Sequence, residues 1–172
     1  MKKSCCAHDA PKHDSRCQVT PFIASPVNAR QRMKTHSTSI QINAPPKRVW
    51  SVLTEDLKRD PEPFGILRIE GAIAPGSRIK LWSEVDPKRA FALKVTVLEA
   101  PSRMIWHGGM PFGLFVGTRT FLLTPAMGGC TFEMREVFSG VLSGLITKSI
   151  PDLTPSFEKF ANTLKEKAEN NA

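Results

Sequence analysis

Apolar and polar residues alternate through much of the middle of the chain, which is the pattern of half-buried β-strands. Turn signals such as Pro75-Gly76 and Asp86-Pro87 separate the alternating segments. In the fourth segment Phe91, Leu93, Val95 and Val97 share one parity, which predicts that they face one side. The predicted strands cover 36–42, 66–72, 77–85, 90–99, 103–107, 116–124 and 130–138.

Helical spacing replaces this alternation at three places. Apolar residues of 47–54 follow Pro45-Pro46 at helical intervals, and proline suits the first helical position. Residues 143–150, ahead of Pro151 and Pro155, predict either a separate helical turn or a kinked first half of the C-terminal helix. A long C-terminal helix is predicted from Pro155 onward, with one apolar stripe. That stripe consists of Phe157, Phe160, Ala161, Leu164 and Ala168.

The order of these elements predicts an α+β domain over residues 36–170. Successive strands with short turns form an antiparallel meander, here a curved sheet of about seven strands. Such a sheet cannot leave its apolar face in water, and the amphipathic C-terminal helix is the element available to cover it. A curved sheet wrapped on one long helix encloses a space unless large side chains fill it.

Residues 1–35 have a different character from the rest of the chain. They contain scattered charges and prolines without either periodicity, which predicts a disordered tail. Residues 1–34 hold seven Lys/Arg and two acids, or 7 − 2 = +5 of the chain's net charge of +8. Met33 is an alternative translation start, so whether residues 1–32 are translated in the native protein stays open.

Composition excludes several functional classes. The folded part has no basic stripe with interleaved aromatic residues, so nucleic acid is not an expected partner. No apolar stretch is long enough for integral membrane association, and no apolar segment follows Met1-Lys2-Lys3 to form a secretory signal. The cytoplasm is therefore the expected location. No phosphate-binding glycine motif is present, and no cofactor is expected.

The cysteine and histidine positions predict no metal site. Three of the four cysteines, Cys5, Cys6 and Cys17, lie in the tail with His8 and His13, but their spacing is not that of a zinc site. One cysteine in the body cannot form an internal disulfide.

Several segments resemble the START-like superfamily, and within it the polyketide cyclase/dehydrase and lipid-transport-like branch. The resemblance covers roughly residues 37–169 and implies a helix-grip fold, in which the sheet wraps the C-terminal helix around a ligand cavity. Its motifs are mainly structural, so they specify the fold better than the function. The matching segments are SIQINAP (39–45), VWSVLTE (49–55), RMIWHG (103–108), EVFSG (136–140) and FEKFANTLK (157–165).

One charged pair is predicted on the apolar face of the sheet. If Pro125 pairs with Cys130 across the last hairpin, Arg119 lies opposite Glu136 on the same side as Phe121 and Phe132. Arg119 then anchors a ligand carboxylate or carbonyl with Glu136 as its counter-charge. The alternative is a cross-strand ion pair near the rim that only fixes the register.

The helix-grip expectation assigns a set of side chains to the cavity. The apolar loop 110–115 is predicted to close its mouth as a lid, or to pack into the core or a dimer contact. His107 and Glu136 are the candidates for acid–base chemistry, although no second group lies at a fixed spacing from His107. The predicted ligand-binding residues are Leu81, Leu93, Trp106, Phe112, Arg119, Phe121, Phe132, Met134, Glu136, Phe138, Phe157 and Phe160.

Three functions are compatible with this sequence. The first is binding of a small hydrophobic molecule, such as a lipid, a polyketide-like compound or an aromatic compound. The second is an enzyme of the cyclase or dehydratase type acting on such a ligand, so catalysis stays open. The third is a protein-interaction module, and a homodimer is also left open.

Overall fold

The alternating segments form one antiparallel sheet in a computed structural model that describes residues 33–170. Every neighbouring pair of strands is antiparallel, and the order across the sheet is β1-β7-β6-β5-β4-β3-β2. This confirms the predicted meander, with β1 added beside the last strand. The strands are β1 (Thr35–Ile42), β2 (Ile66–Glu70), β3 (Arg78–Ser83), β4 (Asp86–Glu99), β5 (Arg103–Gly109), β6 (Val116–Ala126) and β7 (Gly129–Ser139).

Helical segments precede and follow this meander. The first begins at Pro46, where proline supplies a helical φ, and continues through a π-helical turn. Within residues 33–170 no helix combines the length and the apolar character needed to cross a membrane. The segments are α1 (Pro46–Ser51), the π turn (Val52–Asp56), α2 (Leu57–Arg59), 3₁₀ turns at Glu62–Phe64 and Pro111–Gly113, α3 (Ser143–Ile146) and α4 (Thr154–Asn170).

The core lies between α4 and the inner face of the sheet. All five residues of the predicted apolar stripe on α4 are buried, which confirms that prediction. Phe160 is central, because its ring lies 5.2 Å from that of Phe64, 5.9 Å from Phe121 and 6.2 Å from Phe132. These contacts join α4 to β6, β7 and the segment before β2.

Two details of the strands differ from the alternation pattern. Val95 pairs with Trp106, but Val97 pairs with Ile105, so Thr96 is one extra residue in β4. Beyond this β-bulge the parity of the inward-facing residues of β4 changes. Leu98, rather than Val97, therefore lies opposite the buried Met104. The predicted third strand also ends at Ser83, which leaves Val85 exposed in the following turn.

α4 covers the inner face unevenly. It packs chiefly against β1 at one end of the sheet. On β4, by contrast, the inward side chains of Phe91 and Leu93 pack on the core and still remain partly exposed. The inner face is therefore accessible on the side of β4 and tightly packed beneath α4.

We expect Phe160→Ala to lower the free energy of unfolding by about 3–5 kcal/mol, because it removes a buried ring that three other rings contact. Asn162→Ala, on the exposed face of the same helix, should change it by less than about 0.5 kcal/mol. Urea denaturation followed by circular dichroism measures both. Equal effects from the two variants would contradict the central position of Phe160.

Candidate functional site

Arg119 and Glu136 lie directly opposite each other, as the predicted register requires. Pro125 pairs with Cys130, and the pairing continues without interruption to Arg119 and Glu136. Arg119 Nε donates to Glu136 Oε2 at 2.9 Å, and Nη2 donates to the same oxygen. The side chains are 22% and 12% exposed, so this is a largely buried pair and not a solvated one at the surface.

The surroundings of this pair are apolar. Phe121 and Met134, the next inward residues on the same two strands, are fully buried. The Arg119 guanidinium carbon lies 5.1 Å from the centre of the Phe157 ring on α4, which is cation–π geometry. The pair therefore lies between the sheet and α4, and its opposite charges offset one another.

The sheet register extends the pair into a row of four residues. His36 on β1 lies opposite Glu136, and Trp106 on β5 lies opposite Arg119. Directly opposite residues point to the same face of a sheet. The inner row is thus His36, Glu136, Arg119 and Trp106, from β1 across β7 and β6 to β5.

His36 is a member of this row that was not among the site residues predicted from the sequence. It is buried, its ring makes edge contacts with Phe138 and Phe157, and its Nδ1 lies 3.3 Å from Asp152 Oδ1. Its Nε2 has no hydrogen-bond partner among the described residues. In the neutral tautomer that donates from Nδ1 to Asp152, this buried Nε2 is an acceptor.

The carboxylate beside His36 is stabilised mainly by its own loop. The backbone N–H of Thr154 donates to Asp152 Oδ1 at 3.0 Å and the Thr154 hydroxyl donates at 2.7 Å. These bonds, with a smaller contribution from His36, hold the pKa of Asp152 below its ordinary value. The group facing Nδ1 is therefore an ionised carboxylate near neutral pH.

Trp106 contributes a second unpaired polar atom to the row. The residue is buried and its ring lies 4.8 Å from that of Phe121. Its Nε1–H, which can only donate, has no partner among residues 33–170. Unpaired buried donors are rare and costly, and an oxygen acceptor in the same space would satisfy this one.

The other predicted ligand-binding residues lie in different environments. Leu81, Phe121, Phe132, Met134, Phe138, Phe157 and Phe160 are buried in the core, and Leu93 is partly exposed on the inner face. Phe112 is 99% exposed at the tip of the loop after β5, so its ring does not pack on the core. His107 is exposed on the outer face, because consecutive residues of a strand point to different faces and Trp106 points inward.

No metal centre is assembled from the described residues, in which no three His, Cys, Asp or Glu side chains are grouped. The cysteines and histidines of the N-terminal segment lie outside residues 33–170. Cys130 is buried, and this burial raises the pKa of its thiol, which disfavours the reactive thiolate.

Comparison with known proteins extends this picture. Residues 33–169 match the model of a family described as polyketide cyclase / dehydrase and lipid transport. No curated protein sequence matches the chain. The fold is shared with many solved structures.

Three of these structures illustrate the similarity. A protein from Mesorhizobium loti has 19% identity and a TM-score of 0.62, over 81% of this chain and 99% of its own. Norcoclaurine synthase from Thalictrum flavum has 13% identity and a TM-score of 0.58, over 78% and 92%. The di-domain ARO/CYC protein StfQ of the steffimycin pathway has 13% identity and a TM-score of 0.61, over 81% and 52%. At such identities the likeness concerns the helix-grip fold.

We expect the carboxylate of Asp152 to stabilise the folded state in a pH-dependent way. Its pKa is lowered on folding, so the contribution is present above the ordinary value of 3.8 and is lost as pH falls through the lower, folded value. Asp152→Asn should therefore have a lower free energy of unfolding than the wild type at pH 6, and this gap in free energy should narrow towards pH 3.

Urea denaturation at several pH values measures this gap. Glu158→Gln, which removes an exposed carboxylate from α4, is the matched control and should show no comparable gap at pH 6. A gap for Asp152→Asn that stays constant down to pH 3 would contradict the assignment.

Proposed function

Because the chain belongs to the polyketide cyclase / dehydrase and lipid transport family, we propose that it binds a small hydrophobic molecule bearing a carbonyl or similar oxygen on the inner face of its sheet. The observation that carries this proposal is the inner row, where the unpaired Trp106 Nε1–H lies on the strand next to Arg119. A ligand oxygen beside these two residues would give the indole donor its missing partner.

The charge of the site favours a neutral ligand. Glu136 already receives two hydrogen bonds from Arg119, so the guanidinium is compensated before any ligand enters. A free carboxylate would compete with Glu136 for the same cation inside an apolar space, where an uncompensated charge is costly. A ketone or aldehyde oxygen accepts the same hydrogen bonds without adding charge.

The apolar part of the ligand has a surface to contact on β4. Phe91 and Leu93 face inward but stay partly exposed, because α4 packs chiefly at the β1 end. Covering such apolar surface contributes roughly 25 cal/mol per Å². The proposed ligand thus lies along β4 and β5 with its oxygen towards Trp106 and Arg119.

Fluorenone and fluorene test this arrangement, since they share three rings and differ by one carbonyl group. We expect Trp106→Phe to weaken fluorenone binding about fivefold, the value of one neutral hydrogen bond, and to leave fluorene within about twofold. Equilibrium dialysis measures both affinities. Trp82→Phe, the same substitution on the outward side of β3, should change neither.

Two results would contradict the proposal. An equal loss of affinity for both compounds in Trp106→Phe would mean that the indole acts by packing and not by its N–H. Failure of the wild type to bind either compound, with no apolar adduct in native mass spectra of freshly purified protein, would remove the ligand site itself.

A second candidate function, catalysis on a carbonyl compound that lies further along the inner row, beside β7 and β1, is favoured by His36. Its Nδ1 faces an ionised carboxylate and its Nε2 is buried and unpaired, an arrangement that suits a general base. In the reaction considered, Nε2 takes a proton from the carbon next to a ligand carbonyl, the C–H electron pair becomes an enolate, and the proton later returns. His107, the histidine selected from the sequence, is on the other face.

Deuterium exchange into 2-tetralone, a bicyclic ketone with acidic α-protons, tests this reaction. We expect the wild type to accelerate exchange in D₂O above the buffer rate and His36→Gln to abolish that acceleration, as followed by proton NMR. His107→Gln is the matched control and should keep it. A wild-type rate equal to that of the buffer, or equal loss in both variants, would contradict a role of His36 as base.

A further inference from the structure

The outer face of the sheet carries three cations and a histidine that the proposed ligand site does not use. Arg78 on β3, Lys94 on β4 and His107 on β5 lie directly opposite one another in one row, and Lys80 lies in the next row. All four side chains are exposed. We call these four residues the cationic trough, since all four line one depression of about 690 Å³.

The trough has an excess of positive charge, with Glu70 as the one acidic residue that also lines the depression among residues 33–170. Arg78, Lys80 and Lys94 have no ion pair among residues 33–170, and the acid beside Lys80, Glu70, pairs with Arg68. Like charges directly opposite each other on neighbouring strands are destabilising. A bound anionic partner would offset this repulsion.

An exposed apolar surface lies at the end of this trough. Met110, which lines the trough, leads into the loop that presents Phe112, and Val141 and Leu145 are largely exposed on the neighbouring segment. We call these four residues the apolar tip.

The two halves of the tip are held together by the backbone. Leu142 N–H donates to Leu114 O at 2.9 Å, and Met110 N–H donates to Phe115 O at 2.8 Å. Phe112 itself has a φ of 58°, a left-handed conformation that is uncommon for any residue other than glycine. A fully exposed large ring, in a loop whose backbone is hydrogen-bonded to the segment that carries the exposed Val141 and Leu145, is unusual for a surface that meets only water.

We propose that the cationic trough and the apolar tip together form a docking surface for an anionic lipid bilayer. Exposed aromatic and aliphatic side chains enter the boundary between headgroups and acyl chains, and nearby lysines and arginines attract the acidic headgroups. A nucleic acid would match the cations and leave the apolar tip unexplained. An apolar protein partner would match the tip and leave the cations uncompensated. The proposal does not depend on the ligand site of the inner face.

Co-sedimentation of the full chain with vesicles tests the proposal. Vesicles of phosphatidylcholine alone are compared with vesicles in which part of the lipid is phosphatidylserine. We expect binding to the acidic vesicles, weaker binding as salt is raised, and little binding to phosphatidylcholine alone.

Phe112→Ser tests the apolar tip without changing any charge. We expect it to lower the partition coefficient at least fivefold, because the ring no longer enters the interface. Met127→Ser is its matched control, since Met127 is equally exposed, at 99%, in the turn between β6 and β7 at the other end of β6. This variant should bind as the wild type does.

The double variant Lys80→Gln and Lys94→Gln tests the trough. Each lysine is expected to contribute about fivefold, so the double variant should lose about 25-fold. Lys47→Gln with Lys58→Gln removes two exposed lysines of the first helical segment and is the charge-matched control. Circular dichroism checks that every variant is folded.

Three results would overturn the proposal. The first is no binding of the wild type to acidic vesicles. The second is an equal loss of vesicle binding in Phe112→Ser and Met127→Ser, and the third is an equal loss of vesicle binding in the two double lysine variants. Loss of vesicle binding in Lys80→Gln/Lys94→Gln without loss in Phe112→Ser would mean that the chain binds the acidic surface by charge alone, and would reject the role of the apolar tip. Binding of fluorenone is measured separately, so neither result decides the other.

Discussion

The packing of one aromatic side chain, Phe160 of α4, determines how the helix sits on the sheet. Its ring touches rings from β6, from β7 and from the turn before β2, so it connects parts of the chain that are distant in sequence. One turn earlier on the same helix, Phe157 is thereby brought against the guanidinium of Arg119. The polar site of the inner face thus depends on an apolar contact outside it.

Much of the fold follows from local patterns in the sequence. Period-two alternation and turn residues identified all seven strands, and helical periodicity identified the buried stripe of α4. The bulge at Thr96 could not be predicted from these patterns, because Val97 and Leu98 are both apolar and either is acceptable on the inner face. The change in which residues of β4 face inward after Thr96 is evident only from the pairing of β4 with β5.

The candidate site was predictable to the extent that its contacts are local. Arg119 and Glu136 belong to one hairpin with a tight turn, so counting residues from the turn gave their register. His36 lies opposite Glu136 only because β1 pairs with the last strand, and its partner Asp152 follows that strand, so no local pattern links the three residues. The environment of Phe112 was equally inaccessible, because an apolar loop has the same sequence whether it packs inward or points into solvent.

The bulge in β4 has a consequence for how related chains differ in length. Removing Thr96 would leave the pairs Val95–Trp106, Val97–Ile105 and Leu98–Met104 intact, whereas a deletion elsewhere in the paired part of β4 would exchange inner and outer residues. A bulge also increases local twist and bends its strand. A one-residue gap at this position in an alignment would therefore mark a relative with the same lining residues and a flatter sheet, one that wraps less closely around its helix.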